Sequence, residues 1–309
     1  MPKTKKPFRA GFVALVGRPN VGKSTLLNRL LGEHIAIVSP RPQTTRTRIL
    51  GVVNGEDHQL ALFDTPGLHA AKGALNKHMV EVALATLQEV DVVLLLIEAG
   101  TGPGGRVEIG EGTRAVIEQV ARSRKPAVLG INKIDRAPKE SILPVIAAYR
   151  DLHAWVEVVP FSAATGENVE RLQAVLAGVV PEAEAPLFPP DVLTDQAEKQ
   201  LAAEYVREQL MLRTRQELPY SVAVEVESFD ESGRREDGGL VRIAALIRVE
   251  RDSQKAIVIG KRGAMLKEIG TQARLKLERL LGCKVFLGLT VKVDEKWTER
   301  DAAVRRNVP

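Results

Sequence analysis

Gly17-Arg18-Pro19-Asn20-Val21-Gly22-Lys23-Ser24 is the stretch on which the reading of this chain turns. It stands directly after an apolar run at residues 12–16 and opens an amphipathic segment at 24–31, so it reads as a strand–loop–helix turn. The spacing G-x-x-x-x-G-K-S is that of a loop whose backbone N–H groups converge on phosphate oxygens. Glycine admits the close approach, and the helix that follows turns its positive dipole end toward the anion. Lys23 is then the candidate bridge between β- and γ-phosphates, the Ser24 hydroxyl a candidate Mg²⁺ ligand, and Thr25 closes the phosphate-binding set.

Working outward, short apolar runs at 12–16, 59–63, 92–97, 127–131 and 156–161 read as buried strands. Helical patterns at 24–31, 75–88, 113–121, 141–150 and 169–177 lie between and after them. This alternation predicts an α/β domain over residues 1–180, a doubly wound and mostly parallel sheet. A proline-rich stretch at 181–193 breaks both patterns and reads as a linker. Residues 194–309 change character: a long helix capped by Thr194 with an apolar face of Ala197, Leu201, Tyr205, Leu210 and Leu212, strands at 221–226 and 241–249 joined by a polar loop at 230–239, a short segment at 256–259, a turn, a helix at 264–281 and a strand at 285–293.

Three further motifs fall where strands end. Asp64-Thr65-Pro66-Gly67 places a carboxylate where it can hold Mg²⁺ and a glycine whose N–H can meet a γ-phosphate. Asn132-Lys133-Ile134-Asp135 offers a carboxylate, Asp135, to the N1–H and 2-amino donors of guanine, a donor pair that adenine lacks. Asn132 and Lys133 would brace the loop and flank the base, and a backbone N–H of Ser162-Ala163 could meet the guanine oxygen.

The second half carries its own signal. Gly260-Lys261-Arg262-Gly263, after Val258-Ile259 and before a helix, is a G-x-x-G turn beside which a nucleic-acid backbone can run closely. Eight basic residues against two acidic ones stand between Lys255 and Lys284, a local excess suited to a polyphosphate partner. Lys261, Arg262, Lys267 and Arg274 are the candidate phosphate contacts, and Ile257 and Ile259 the candidate apolar floor. Aromatic residues are few, with Tyr205, Tyr220, Phe229, Phe286 and Trp297 in this half, so base stacking is not expected to dominate.

Taken in order, the P-loop, D-x-x-G, N-K-x-D and S-A motifs resemble the translation-factor class of GTPases. With an α+β type II KH domain at the C-terminus, the whole chain resembles the Era family of bacterial ribosome-assembly GTPases. The resemblance implies slow, Mg²⁺-dependent hydrolysis of GTP to GDP and phosphate, with binding of the 3′ end of 16S ribosomal RNA and of the small ribosomal subunit. It places switch I at Pro42-Gln43-Thr44-Thr45-Arg46-Thr47-Arg48, with Thr45, or else Thr44, meeting Mg²⁺ and the γ-phosphate. Together with Lys23 and Gly67, that threonine makes up the implied catalytic set. The residue after Gly67 is Leu68, where Ras-like enzymes keep a water-orienting glutamine. Asn20 lies where potassium-activated relatives place a ligand, so K⁺ is a candidate second cation. The segment 100–110 is longer and richer in glycine than the family usually carries.

Composition sets the outer limits. The 309 residues are 44% hydrophobic and 27% charged, with net charge +5, which fits a soluble chain of two ordinary domains. The single cysteine, Cys283, excludes an internal disulfide and reads as a core thiol. No apolar run is long enough to cross a bilayer, and the basic start lacks the apolar region of a secretory signal. A cytoplasmic monomer is expected, the basic start allowing only weak peripheral membrane contact. A P-loop kinase conflicts with Asn132–Asp135, whereas an RNA chaperone that hydrolyses GTP poorly is compatible with Leu68.

Overall fold

The structure, a computed structural model, describes residues 7–39, 41, 44–68, 73–100, 106–214, 221–235 and 239–308. The basic start at 1–6, Pro42 and Gln43 of the switch stretch, residues 101–105 of the glycine-rich segment, residues 236–238 of the polar loop and Tyr220 lie outside the described residues. The chain divides into two compact units. The first holds Met1–Ala36, Thr45–Ala71 and Met79–Asp195; the second holds Ile37–Thr44, Lys72–His78 and Gln196–Pro309.

In chain order the first sheet and its helices are β1 (Arg9–Gly17), α1 (Lys23–Leu31), β2 (Ile49–Asn54), β3 (His58–Asp64), α2 (Ala74–Glu89), β4 (Val92–Glu98), α3 (Glu111–Ser123), β5 (Ala127–Asn132), α4 (Ile142–Arg150), β6 (Glu157–Pro160) and α5 (Val169–Val179). The six strands stand in the order β2-β3-β1-β4-β5-β6. Every neighbouring pair is parallel except β2 with β3, which is antiparallel. β4 and β5 are buried almost end to end, as expected of parallel strands covered on both faces. The strand order reverses at β1, whose neighbours are β3 and β4, and the loop that follows β1 is the P-loop. That is the switch point at which open α/β sheets leave a crevice for a ligand.

β2 is the element absent from the sequence reading. Its middle residue is Gly51, which weakens the strand signal, and the reason for the glycine is packing. A Cβ there would come within 2.7 Å of Leu27 Cδ1 and 2.8 Å of Leu31 Cδ1 of α1. The proline-rich stretch is not a free tether. Val52 N–H donates to Leu193 O at 2.8 Å, and the Gln59 carboxamide exchanges two hydrogen bonds of 2.9 Å with the backbone of Phe188.

The second unit contains α6 (Glu198–Arg213), β7 (Ala223–Gly233), β8 (Leu240–Val249), α7 (Asp252–Ile259), α8 (Ala264–Leu281), β9 (Lys284–Val293) and α9 (Asp301–Asn307). β7 and β8 are antiparallel, β8 and β9 parallel, giving the sheet order β7-β8-β9. α6 and α8 cover one face of it, burying Tyr205, Leu210, Ala273 and Leu277 against Val241, Ile243 and Ile247. Several expectations need correction here. α6 starts at Glu198 behind Ala197, so Thr194 is not its cap. Leu212, one residue from the helix end, is 46% exposed, and Val206 and Met211 are buried instead. β7 runs on to Gly233 through two register shifts, which shortens the polar loop. The tail folds as α9, and Trp297 is fully buried with its indole N–H donating to Ser221 O at 2.9 Å.

Candidate functional site

The first cluster gathers at the end of β1. Gly22 caps α1 with φ +102° and supplies no side-chain cap, which leaves the first-turn N–H groups of the helix for an anion. Arg18 and Asn20 are exposed, Pro19 and Thr25 half-buried and Val21 buried, while Asn20 takes a left-handed φ of 65°. Lys23 is buried, its ammonium 3.4 and 3.3 Å from the carbonyls of Gly17 and Arg18. Burial holds the Lys23 ammonium below its ordinary pKa, and the charge of Asp64 opposes that only in part.

Asp64 ends β3 with no solvent exposure. Its Oδ2 accepts from Ser24 Oγ at 2.5 Å and from Thr45 Oγ1 at 3.0 Å, and the two hydroxyls stand 2.9 Å apart. The Thr44 hydroxyl is turned elsewhere and donates to Arg41 O at 2.7 Å. Burial raises the Asp64 pKa, against the lowering effects of Lys23, Ser24 and Thr45. Asp64 Oδ1 is buried with no hydrogen-bond partner among the described residues. A carboxylate and two hydroxyls in contact, with one carboxylate oxygen unsatisfied, form a hard-oxygen donor set that fits a small divalent cation.

Behind this group Thr65 Oγ1 donates to Leu15 O at 2.7 Å, and Pro66 is buried. Gly67 lies so close to the P-loop that a Cβ would fall 2.7 Å from Pro19 N and 2.8 Å from its Cγ. Any larger residue would push the two loops apart. Leu68 is a core residue, its N–H donating to Gly17 O at 3.1 Å, and it has no polar atom in its side chain with which to orient water.

The second cluster forms where β5 and β6 end. The Asn132 carboxamide joins two loops, donating to Val21 O at 2.8 Å and accepting from Ala163 N–H at 2.9 Å. Asp135 Oδ1 accepts from Ser162 Oγ at 2.6 Å. The Ser162 N–H donates to Glu167 O at 2.9 Å, and the Ala163 N–H donates to the Asn132 carboxamide, which ties the two loops of this cluster together.

One residue outside the motifs joins this site, Glu98, and another, Asn28, braces the chain that follows α1. Glu98, at the end of β4 and in register with Asn132, accepts a hydrogen bond from the Lys133 ammonium. Asn28 of α1 accepts from the N–H groups of Ile35 and Ala36 at 3.0 and 2.9 Å and donates to Ala36 O at 2.6 Å. The polar residue that follows the apolar run at 92–97 was the available sign for Glu98. Asn28 gave no such sign in the sequence.

In the second unit, α7 stops at Gly260, with φ +71°, where a Cβ would meet Met265 Cβ at 2.6 Å. Gly263 also has positive φ, +79°, but nothing lies within 4 Å of its missing Cβ. Lys261, Arg262 and Lys267 are exposed beside the turn. A groove of about 390 Å³ opens next to it, with Lys267, Thr271 and Arg274 on its α8 side and Gly263 and Gly270 along its length. Leu266, Leu287 and Leu289 supply the apolar lining. Ile257 and Ile259 do not line it: Ile257 is 42% exposed and Ile259 half-buried, since the turn of α7 directs Val258 inward. Tyr205 and Trp297 are buried and unable to stack on a base. Among the described residues no helix is long and apolar enough to cross a membrane.

Comparison with known proteins gives these two clusters a context. Residues 12–133 match the family described as "50S ribosome-binding GTPase", and residues 217–298 match the KH domain family. The chain is 51% identical over 299 residues to GTPase Era of Geobacter metallireducens, covering 97% of each protein. It is 53% identical over 296 residues to GTPase Era of Geotalea uraniireducens, covering 96% of each. Among solved structures it resembles an Aquifex aeolicus Era variant bound to GDP and AlF4⁻, at TM-score 0.89 and 41% identity over 97% of this chain and 99% of that one. It also resembles Era in complex with MgGDPNP and nucleotides 1506–1542 of 16S ribosomal RNA, at TM-score 0.89 and 41% identity over 97% and 98%.

Proposed function

Because this chain belongs to the Era family of GTPases, we propose that it is a GTP-driven switch that binds the 3′ end of 16S ribosomal RNA through its KH groove and acts in assembly of the small ribosomal subunit. The observation that carries the reading is the near end-to-end correspondence with Era in complex with that RNA and a magnesium–nucleotide.

In this proposal the Lys23 ammonium, held below its ordinary pKa by burial, regains a favourable environment when phosphate oxygens arrive. Ser24, Thr45 and Asp64 are the residues that would hold Mg²⁺, and the ion would supply neutralisation of phosphate charge there. The Gly67 amide meets the γ-phosphate, and Asp135 takes the N1–H and 2-amino donors of guanine. A backbone N–H of Ser162-Ala163, on the loop that Asn132 holds, meets the guanine oxygen. Leu68 leaves the attacking water without a side-chain partner, so turnover is slow in the absence of further help. K⁺ held beside Asn20 would supply part of that help. Lys261, Arg262, Lys267 and Arg274 attract the RNA backbone, and bases enter along Leu266, Leu287 and Leu289. The factor works as a monomer in the cytoplasm, where its RNA partner is made.

Crosslinking in cells followed by sequencing of the attached RNA tests this. Reads should gather at the 3′ end of 16S ribosomal RNA and disappear in a Gly263→Asp variant. Reads spread over many transcripts would leave the GTPase standing and remove the assembly role.

A further inference from the structure

α1 begins with Lys23 and Ser24 of the P-loop, and its last turn carries Arg29. At about 1.5 Å per residue the helix sets Arg29 roughly 9 Å from Lys23. A basic residue in the last turn of a helix commonly meets the terminal carbonyls of that same helix. The Arg29 guanidinium reaches a loop far away in sequence. Its Nε donates to Ala163 O at 3.2 Å and its Nη2 donates to Ala164 O, 134 and 135 positions along the chain. It also lies along Gly166, on which a Cβ would stand 3.8 Å from Nη1. All four residues belong to the first unit.

Ala163 is thereby held by both of its backbone polar groups, its N–H by the Asn132 carboxamide at 2.9 Å and its carbonyl by Arg29. Bonds inside the loop shape the turn. Ser162 O accepts from the Gly166 N–H at 2.9 Å, and Ser162 Oγ accepts from the Thr165 N–H at 3.1 Å and donates to Asp135. Arg29 ties that turn to the helix that opens the phosphate site, and only a planar fork reaches two neighbouring carbonyls at once. A loop amide fixed in direction before its acceptor arrives binds it at a lower ordering cost. We propose that Arg29 is a positioning residue for guanine recognition: its fork onto Ala163 and Ala164 presets the loop whose N–H meets the guanine oxygen, and so lengthens the time a nucleotide stays bound. The inference rests on the reading of Ser162-Ala163 as the donor to that oxygen.

The full-length protein tests it with Arg29→Met, which keeps an aliphatic stem and removes every donor. Release of a fluorescent GDP, chased with unlabelled GDP, should become about three- to tenfold faster, a modest change because solvent reaches the guanidinium. Arg29→Lys keeps the charge, loses the fork and should fall between wild type and Arg29→Met. Two analogues separate the positioning of this loop from a general loosening of the site. In 6-thio-GDP a weakly accepting sulfur replaces the guanine oxygen, and inosine diphosphate lacks the 2-amino group that Asp135 takes. In Arg29→Met the preference for GDP over 6-thio-GDP should shrink about three- to tenfold, and that over inosine diphosphate should stay within about twofold. Thermal unfolding reports whether the fold is kept, and Arg29→Lys decides by the same ratios if Arg29→Met does not fold. A folded variant that releases GDP at the wild-type rate, or whose preference over 6-thio-GDP is unchanged, would overturn the proposal. Wild-type protein that binds 6-thio-GDP as tightly as GDP would instead overturn the reading of the loop amide on which the proposal depends.

Discussion

The P-loop cluster and the KH groove are both suited to phosphate, and they are built on opposite terms. Around Asp64 the charges are buried and ill at ease: Lys23 is held below its ordinary pKa and Asp64 above it, and Asp64 Oδ1 lacks a hydrogen-bond partner among the described residues. Around Gly263 the cations Lys261, Arg262 and Lys267 are exposed and solvated. Buried charges that the protein leaves incompletely satisfied make a site that demands particular ions in particular places, since a preorganised charge in a low dielectric acts strongly on its ligand. Exposed cations act through the ion atmosphere, weakly one by one, and are screened by salt. Mutation, pH and salt should therefore divide the molecule along this line.

The largest effect is expected at Asp135. Asp135→Asn replaces an acceptor for two guanine donors and should weaken GDP binding by about 3–6 kcal/mol, roughly a hundred- to twenty-thousand-fold, in a fluorescent-nucleotide titration. RNA binding in the groove should change by less than about twofold, because every residue lining the groove belongs to the second unit and Asp135 to the first. A comparable loss in both assays would break the division.

The next effect is one of pH. With its folded pKa raised, Asp64 keeps its proton to a higher pH than an ordinary carboxyl. Lowering the pH then puts a proton where the cation binds, and apparent Mg²⁺ affinity should fall roughly tenfold per unit below that pKa. For nucleotide-free protein the sign reverses. The folded state takes up this proton before the unfolded chain does, so its contribution to stability rises as pH falls through the raised pKa. Asp64→Asn should flatten both profiles. A Mg²⁺ dependence that changes only below about pH 4 would show that Asp64 titrates as an ordinary carboxyl.

At the groove the expected changes are smaller. Gly263→Asp sets a carboxylate beside the nucleic-acid path at a position with no steric conflict, and RNA affinity should drop about ten- to a hundredfold with GDP affinity intact. Gly260→Asp would instead collide with Met265 and should lower the melting temperature of the protein. Lys261→Ala should reduce the slope of log K against log salt by about 0.7, the value for one contact to a single strand. Smallest of all is the cation effect at Asn20: hydrolysis should run severalfold faster in KCl than in NaCl, and equal rates would remove K⁺ from the account.

The same division explains what the sequence disclosed. Lys23, Asp64, Asn132 and Asp135 were legible because each stands in a fixed spacing at the end of an apolar strand, where topology alone sends it to the crevice. β2 was not legible, since Gly51 serves the packing of Leu27 and Leu31 and interrupts the strand pattern. The tie between the two guanine-site loops was not legible, because Asn132 reaches across 31 positions to Ala163, a pairing that only folding creates. In the second half the G-x-x-G turn and its cations were legible. The groove floor was not, because Leu287 and Leu289 reach it through the parallel pairing of β8 with β9 and the packing of α8.

The most direct test of the central claim is a binding competition. Full-length protein loaded with a non-hydrolysable GTP analogue is titrated with a labelled RNA of the 16S 3′ end, against unlabelled RNA of the same length and composition in scrambled order. The account predicts that the native order binds at least about thirtyfold more tightly at physiological salt, and that Gly263→Asp abolishes the difference. Equal binding of both RNAs, unaltered by Gly263→Asp, would mean that the groove attracts polyanions without reading them, and would contradict the account.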